Sequence, residues 1–266
     1  MKKRFISAII MLVVFIPLLI LGGSLFNFRV YIVSLLALRE FINIKNDKKY
    51  IPSFIKLISY IILTLLILTN SQLKELTFSI DYRVLAALFI SYLLPTVLYH
   101  DREKYSVNDA FYLIGGVLFL GISMSLLILI RSTNLALLVY LFLIAIITDT
   151  YAYIVGNLIG KHKMLEVISP KKTWEGMIGG TVFAIIFGTV FFHLFVSNTM
   201  PVFAVMIITL FLSILAQFGD LVFSAIKRYF GKKDFSNLIS GHGGVLDRLD
   251  SVIFVLLGFI FFMFLI

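Results

Sequence analysis

No cysteine occurs in the chain. That excludes a disulfide framework, a thiolate metal site and a cysteine nucleophile. Charge is scarce as well. Asp, Glu, Lys and Arg make up 14% of the 266 residues, 61% are hydrophobic, and the mean hydropathy is +1.05. An ordinary soluble domain does not have that balance. Acidic residues are the scarcer sign, 14 against 23 basic, leaving a net charge of +9. In so apolar a chain an excess of Lys and Arg marks cytoplasmic loops and contacts with anionic headgroups, and argues against nucleic acid as a partner. Low-complexity tracts and internal repeats are also missing, which weakens an inverted-repeat transporter reading.

What is present is a series of apolar segments. At roughly 20 residues per crossing they predict an all-α, polytopic membrane protein with about nine transmembrane helices. The expected spans are 5–22, 25–43, 53–70, 82–99, 108–130, 134–157, 175–197, 201–230 and 248–266. The basic start Met1-Lys2-Lys3-Arg4 and the run Phe5–Leu21 resemble a signal peptide, but the run is long and Gly22-Gly23-Ser24 is a poor cleavage site. With the N-terminus cytoplasmic, 19 basic residues fall inside and only Arg29, Lys74, Arg83 and Arg131 outside, which accounts for all 23. That asymmetry supports nine spans with the C-terminus outside. Residues 1–131, with five spans and few buried charges, are expected to be scaffold; residues 132–266 carry the informative polar clusters. Gly115, Gly116, Gly121 and Pro95 read as helix-packing or kink positions.

The densest cluster is Ser224–Asp250, between the apolar runs Thr209–Gln217 and Val252–Ile266. It has an order that a mere linker would not need. Basic residues come first (Lys227, Arg228, Lys232, Lys233), then the turn Gly241-His242-Gly243-Gly244, then Asp247 and Asp250. Cations and glycine-loop amides suit phosphate oxygens, and paired carboxylates suit a hard divalent ion. Asp247 and Asp250, three apart, fall on one helical face and ask for either a metal or a basic partner such as Arg248. A phosphorylated substrate with Mg²⁺ is the simplest chemistry that uses the whole stretch.

Three other groups join it. Asp220, Ser224 and Lys227 share a helix face at i, i+4 and i+7, with Asp220 a turn or two inside apolar sequence where a charge needs a partner. Asp149 ends the run Leu135–Thr148, near the cytoplasmic end of the sixth span. The loop Gly160-Lys161-His162-Lys163 to Ser169-Pro170-Lys171-Lys172-Thr173-Trp174-Glu175-Gly176 reads either as a positive-inside loop with a helix start at Pro170 or Thr173, or as a phosphate site. Lys171 and Lys172 just before a helix N-terminus favour an anion. Trp174 suits an interface anchor or a stacking platform, and His162 and His193 carry little functional signal. All these groups fall on the cytoplasmic side.

The elements Ser224, Lys227-Arg228, Lys233-Asp234, His242-Gly243-Gly244 and Asp247-Arg248-Leu249-Asp250 resemble the signature of the phosphatidate cytidylyltransferases, the CDP-diacylglycerol synthases, with matching spacing. Asp149-Thr150-Tyr151-Ala152-Tyr153 and Ser169–Gly176 look like two further segments of that family. The resemblance covers Asp149–Asp250. It implies condensation of CTP with phosphatidic acid to CDP-diacylglycerol and pyrophosphate in the bilayer. Asp220, Asp247 and Asp250 would hold Mg²⁺, with a second, monovalent cation left open. Lys171, Lys172, Lys227, Arg228 and Lys233 would face phosphates. Ser224, His242, Gly243, Gly244, Arg248 and Asp149 would line the substrate site, and the enzyme would be a homodimer. A CTP-dependent polyprenol kinase and a cation-coupled transporter are the competing readings.

Overall fold

The computed structural model describes residues 17, 19–70, 80–239, 241 and 243–265. Residues 5–16 and 18 of the expected first span, 5–22, lie outside the described residues, as do Lys74 and His242. Among the described residues the backbone is helical almost throughout. Its helices are α1 (Gly23–Asn46), α2 (Ser53–Asn70), α3 (Tyr82–Leu98), α4 (Val107–Thr133), α5 (Leu135–Ile159), α6 (Trp174–Phe191), α7 (Val202–Tyr229) and α8 (Leu246–Phe259). Each falls where an apolar segment from the second onward was expected, within a few residues at most boundaries.

Local chemistry sets the boundaries. Asp81 caps α3 by accepting from the Arg83 amide, Asn134 caps α5 from Leu137 N–H, and Thr173 caps α6 from Gly176 N–H. A wide π turn at Phe192–Val196 extends α6. His193 sits there with its two ring nitrogens against the Thr189 and Met200 carbonyls, a structural role.

Among the described residues four helices are long and apolar enough to cross a bilayer: Val107–Thr133, Leu135–Ile159, Trp174–Val196 and Val202–Tyr229. The others fall short for different reasons. The apolar stretches Ser53–Thr69 and Tyr82–Leu98 are of at most 17 residues, near 26 Å at the helical rise and under a hydrocarbon core of about 30 Å. Helix α1 carries Arg29, Arg39 and Glu40, and α8 has only 14 residues.

One segment departs from the all-helical expectation. Lys163–Leu165 (β1) and Ser169–Thr173 (β2) form an antiparallel hairpin, with Lys163 opposite Thr173 and Leu165 opposite Ser169. Gly160 ends α5 in an extended conformation and Pro170 cannot donate to a helix, so the basic loop has no route to helical pairing and pairs with itself.

The chain divides into two compact units. One comprises Met1–Ser132 and Asp234–Asp247, the other Thr133–Lys233 and Arg248–Ile266. In the first, the Phe41 ring stacks on Tyr112 at 4.5 Å and occupies the space where a side chain on Gly116 would stand. Among its described residues three carboxylates are buried, Asp247 and, from the first half of the chain, Glu40 and Asp109. Asp109 is held by Lys45 at 2.7 Å, Lys49 at 2.6 Å and the Ser106 amide at 2.8 Å. The first half of the chain, with few buried charges expected, therefore has two at structural centres.

In the second unit α5, α6 and α7 pack on one another. Ala152 and Gly156 of α5 meet Gly176 and Gly180 of α6; a Cβ on Gly180 would stand 2.5 Å from the Thr148 carbonyl oxygen. Small residues four apart let the two backbones approach, the usual basis of helix association in lipid. A polar ladder crosses the same bundle. Thr148 donates to Ser213, Ser213 to Thr181, and the Gln217 amide to both Thr181 and the Met177 carbonyl. These side chains are buried among apolar helices, so they satisfy one another.

Candidate active site

The ladder opens into a cavity of about 270 Å³. Its walls come from α5 (Asp149, Tyr153, Asn157), the hairpin (Met164, Ser169, Lys171, Lys172), α6 (Gly176, Met177) and α7 (Gln217, Asp220). The hairpin carries both lysines into position. Trp174 N–H donates to the His162 carbonyl, and Glu175 takes the His162 amide at 3.2 Å and lies 2.5 Å from its Nδ1. That contact latches the hairpin base and gives His162 a structural job. Trp174 itself is half exposed at the start of α6.

The charges are paired across elements. Lys172 Nζ lies 2.6 Å from Asp220 Oδ2 and donates to the Gln217 carbonyl at 3.2 Å. Thus Asp220 finds its cation on the hairpin, not at Lys227 one face-repeat away on α7. Asp149 lines the cavity and accepts from the Ser251 hydroxyl at 2.8 Å. Asp149, Asp220 and Asp250 are close enough for their charges to act on one another, opposed by Lys172 and Lys227. Lys227 is buried near the end of α7, whereas Lys171, Arg228 and Lys233 are exposed and Ser224 is half-buried. Arg228 gives one N–H to the Lys232 carbonyl at 2.8 Å, closing the turn after α7. Among the described residues no three His, Asp or Glu side chains form a ready metal cluster.

Asp247 belongs to the first unit. Its Oδ2 accepts the Phe235 amide at 2.9 Å and the Gly244 amide at 2.8 Å. The Gly244 N–H is therefore engaged by a carboxylate and is not held open for phosphate. Gly243 adopts φ 82°, and a side chain there would meet Asp247; a Cβ on Gly244 would meet the Glu40 carboxylate at 2.5 Å. Both glycines of the triplet are thus required by the folding of their own loop. Arg248 is exposed on the first turn of α8.

Of the residues that the sequence assigned to one site, Asp149, Lys171, Lys172 and Asp220 line this cavity, whereas Ser224, Lys227, Arg228, Lys233, Gly243, Gly244, Asp247, Arg248 and Asp250 are not among its lining residues. Sequence reading missed Ser251, the partner of Asp149, and Glu40. The signal for Glu40 was available: a carboxylate inside the run Val30–Ile44 needs internal partners.

Fold and cavity together define a helical membrane protein with a polar pocket of lysines and carboxylates at the ends of apolar helices. The chain belongs to the Cytidylyltransferase family, whose model matches residues 2–266. It is 38% identical over 262 residues to the phosphatidate cytidylyltransferase of Staphylococcus haemolyticus, covering 96% of each chain. The Staphylococcus saprophyticus and Staphylococcus aureus proteins of the same name are each 38% identical over 257 residues, again covering 96% of each chain.

Proposed function

We propose that this protein is a phosphatidate cytidylyltransferase, forming CDP-diacylglycerol and pyrophosphate from CTP and phosphatidic acid. A phosphate oxygen of the lipid attacks the α-phosphorus of CTP, a new P–O–P linkage forms, and the bond to the β-phosphate oxygen breaks. A phosphate nucleophile is already largely deprotonated near neutral pH, so the protein needs no strong base. It must position two anions and offset their charge.

The observation that carries this reading is the Lys172–Asp220 pair at 2.6 Å in a cavity that Asp149 and Lys171 also line. Lys172 is a cation already desolvated on one side, and Lys171 beside it is exposed. Both stand within three residues of the α6 N-terminus, whose dipole also favours an anion. Asp220 and Asp250 are hard oxygen donors. A Mg²⁺ ion entering with nucleotide needs only one or two carboxylates beside phosphates and waters, so the residues present fit it without a three-carboxylate cage. Asp247 is the third ligand that the family resemblance implies. The ion would supply neutralisation of phosphate charge. A second, monovalent cation is compatible with the same acidic surroundings.

The site faces the cytoplasm in this reading, with nine spans, a cytoplasmic N-terminus and an outward C-terminus, supported by the split of 19 basic residues against 4. Residues 1–131 act as scaffold and 132–266 carry the chemistry, in an enzyme that works as a homodimer in the cell membrane.

The test is the reaction itself. Purified protein with Mg²⁺, phosphatidic acid and CTP labelled at the α-phosphorus is expected to put label into lipid and release pyrophosphate. Label confined to soluble CDP would indicate a kinase, and absence of any metal-dependent product would reject the proposal. Asp220→Asn and Asp250→Asn are each expected to lower metal-dependent turnover at least about 100-fold.

A further inference from the structure

Glu40, on α1, is buried at 4% exposure, yet its carboxylate reaches a loop about two hundred residues downstream in the same compact unit. Oε1 accepts from the Ser236 hydroxyl at 2.6 Å and the Val245 amide at 2.9 Å; Oε2 accepts from the Leu246 amide at 2.9 Å. Asp247 closes the same loop from its other side through the amides of Phe235 and Gly244. A backbone bond from Ile239 N–H to the Gly243 carbonyl at 2.8 Å ties the loop across its middle. Two carboxylates thus take five donors from one short loop, and they fix where α8 begins. Helix α8 cannot satisfy the amides at its own start, so Glu40 serves as its cap from another helix. The negative charge of Glu40 also sits at the positive end of the α8 dipole. A neutral side chain at position 40 would leave buried amides unpaired, and a longer one would collide with Gly244.

We propose that Glu40 is a positioning residue for the reaction, a role that rests on the phosphatidate cytidylyltransferase reading. By holding Ser236, Val245 and Leu246 it sets the place and rotation of the start of α8, and with it the carboxylate of Asp247. Asp247 keeps one carboxylate orientation only while its Oδ2 stays bound to the Phe235 and Gly244 amides. The lock depends on Gly244, which is itself packed against Glu40.

Glu40→Gln tests this. The amide keeps the shape but presents N–H groups to one of the donors that the carboxylate accepted. Exchange of the Val245 and Leu246 amides with deuterium is expected to speed up about tenfold or more, while amides of α5–α7 keep their protection. The kcat for CDP-diacylglycerol formation is expected to fall about 10- to 100-fold, with KM for CTP and phosphatidic acid moving less than about threefold. Gly244→Ala displaces the carboxylate from the other side and is expected to give the same exchange signature, so it carries the test if Glu40→Gln does not fold. Gly115→Ala, whose new methyl group meets nothing within 4 Å, is the control and should change neither quantity. Unchanged exchange at 245–246, or a kcat within about twofold of the unaltered protein, would overturn the positioning role alone. No product from the unaltered protein would overturn the activity reading, and the kinetic role with it, whatever the exchange result.

Discussion

Cutting the ion pair between Lys172 and Asp220 is the perturbation with the most to say about the cavity. At 2.6 Å the two charges attract by roughly 6 kcal/mol at an effective dielectric near 20. The side chains are 23% and 30% exposed, so much of that attraction replaces hydration and is not net stability. A net coupling of about 1–2 kcal/mol is what remains. Lys172→Met and Asp220→Asn are each expected to cost about 2 kcal/mol, a fall in Tm of roughly 4–8 °C for a chain of this size. The two losses should not be equal. Lys172 opposes Asp149 as well as Asp220, so its removal leaves two carboxylates facing each other, whereas Asp220→Asn leaves Lys172 a second partner. Lys172→Met should therefore be the costlier change, and the double variant should be more stable than the summed single losses by that 1–2 kcal/mol. Thermal unfolding of the four proteins in one detergent measures this. Losses that add to within about 0.3–0.5 kcal/mol, or a costlier Asp220→Asn, would refute the reasoning that the pair is what holds the hairpin over α7.

Two further outcomes follow from packing and topology. Gly180→Ala forces a methyl group to within 2.5 Å of the Thr148 carbonyl oxygen, and is expected to destabilise by about 1–3 kcal/mol as α5 and α6 are pushed apart. Gly115→Ala meets open space and should stabilise α4 by about 0.5–1 kcal/mol; equal effects on Tm would show that the α5–α6 seam is not close-packed. Because the chain has no cysteine, single cysteines report sidedness directly. Those at Ser53, Ser106 and Ser169 are expected to react only with reagents that reach the cytoplasm, and those at Thr133 and Ser197 from outside. Labelling of Ser169→Cys from outside would overturn the orientation.

Hydropathy by itself determined that the chain is helical and membrane-embedded, and it located α1 to α8 closely, because burying backbone amides in lipid leaves few alternatives to a helix. That Asp149, Lys171, Lys172 and Asp220 call for polar surroundings was also legible, since charges beside apolar runs need partners. Partners were not legible, because sequence spacing reports only one helix at a time. The i, i+7 relation joined Asp220 to Lys227, yet tertiary packing gave Asp220 to Lys172 on a hairpin that no periodicity announced. Asp149 found Ser251, over a hundred residues away, and Glu40 found the loop that ends at Asp247. The His-Gly-Gly triplet shows the division most clearly. Sequence reading marked its glycines as loop positions open to close approach, and only the folded loop revealed that what approaches Gly243 and Gly244 is the protein's own Asp247 and Glu40. Local propensity and hydropathy are encoded within a few residues, whereas a buried carboxylate's donors are chosen by whichever segments the fold brings beside it.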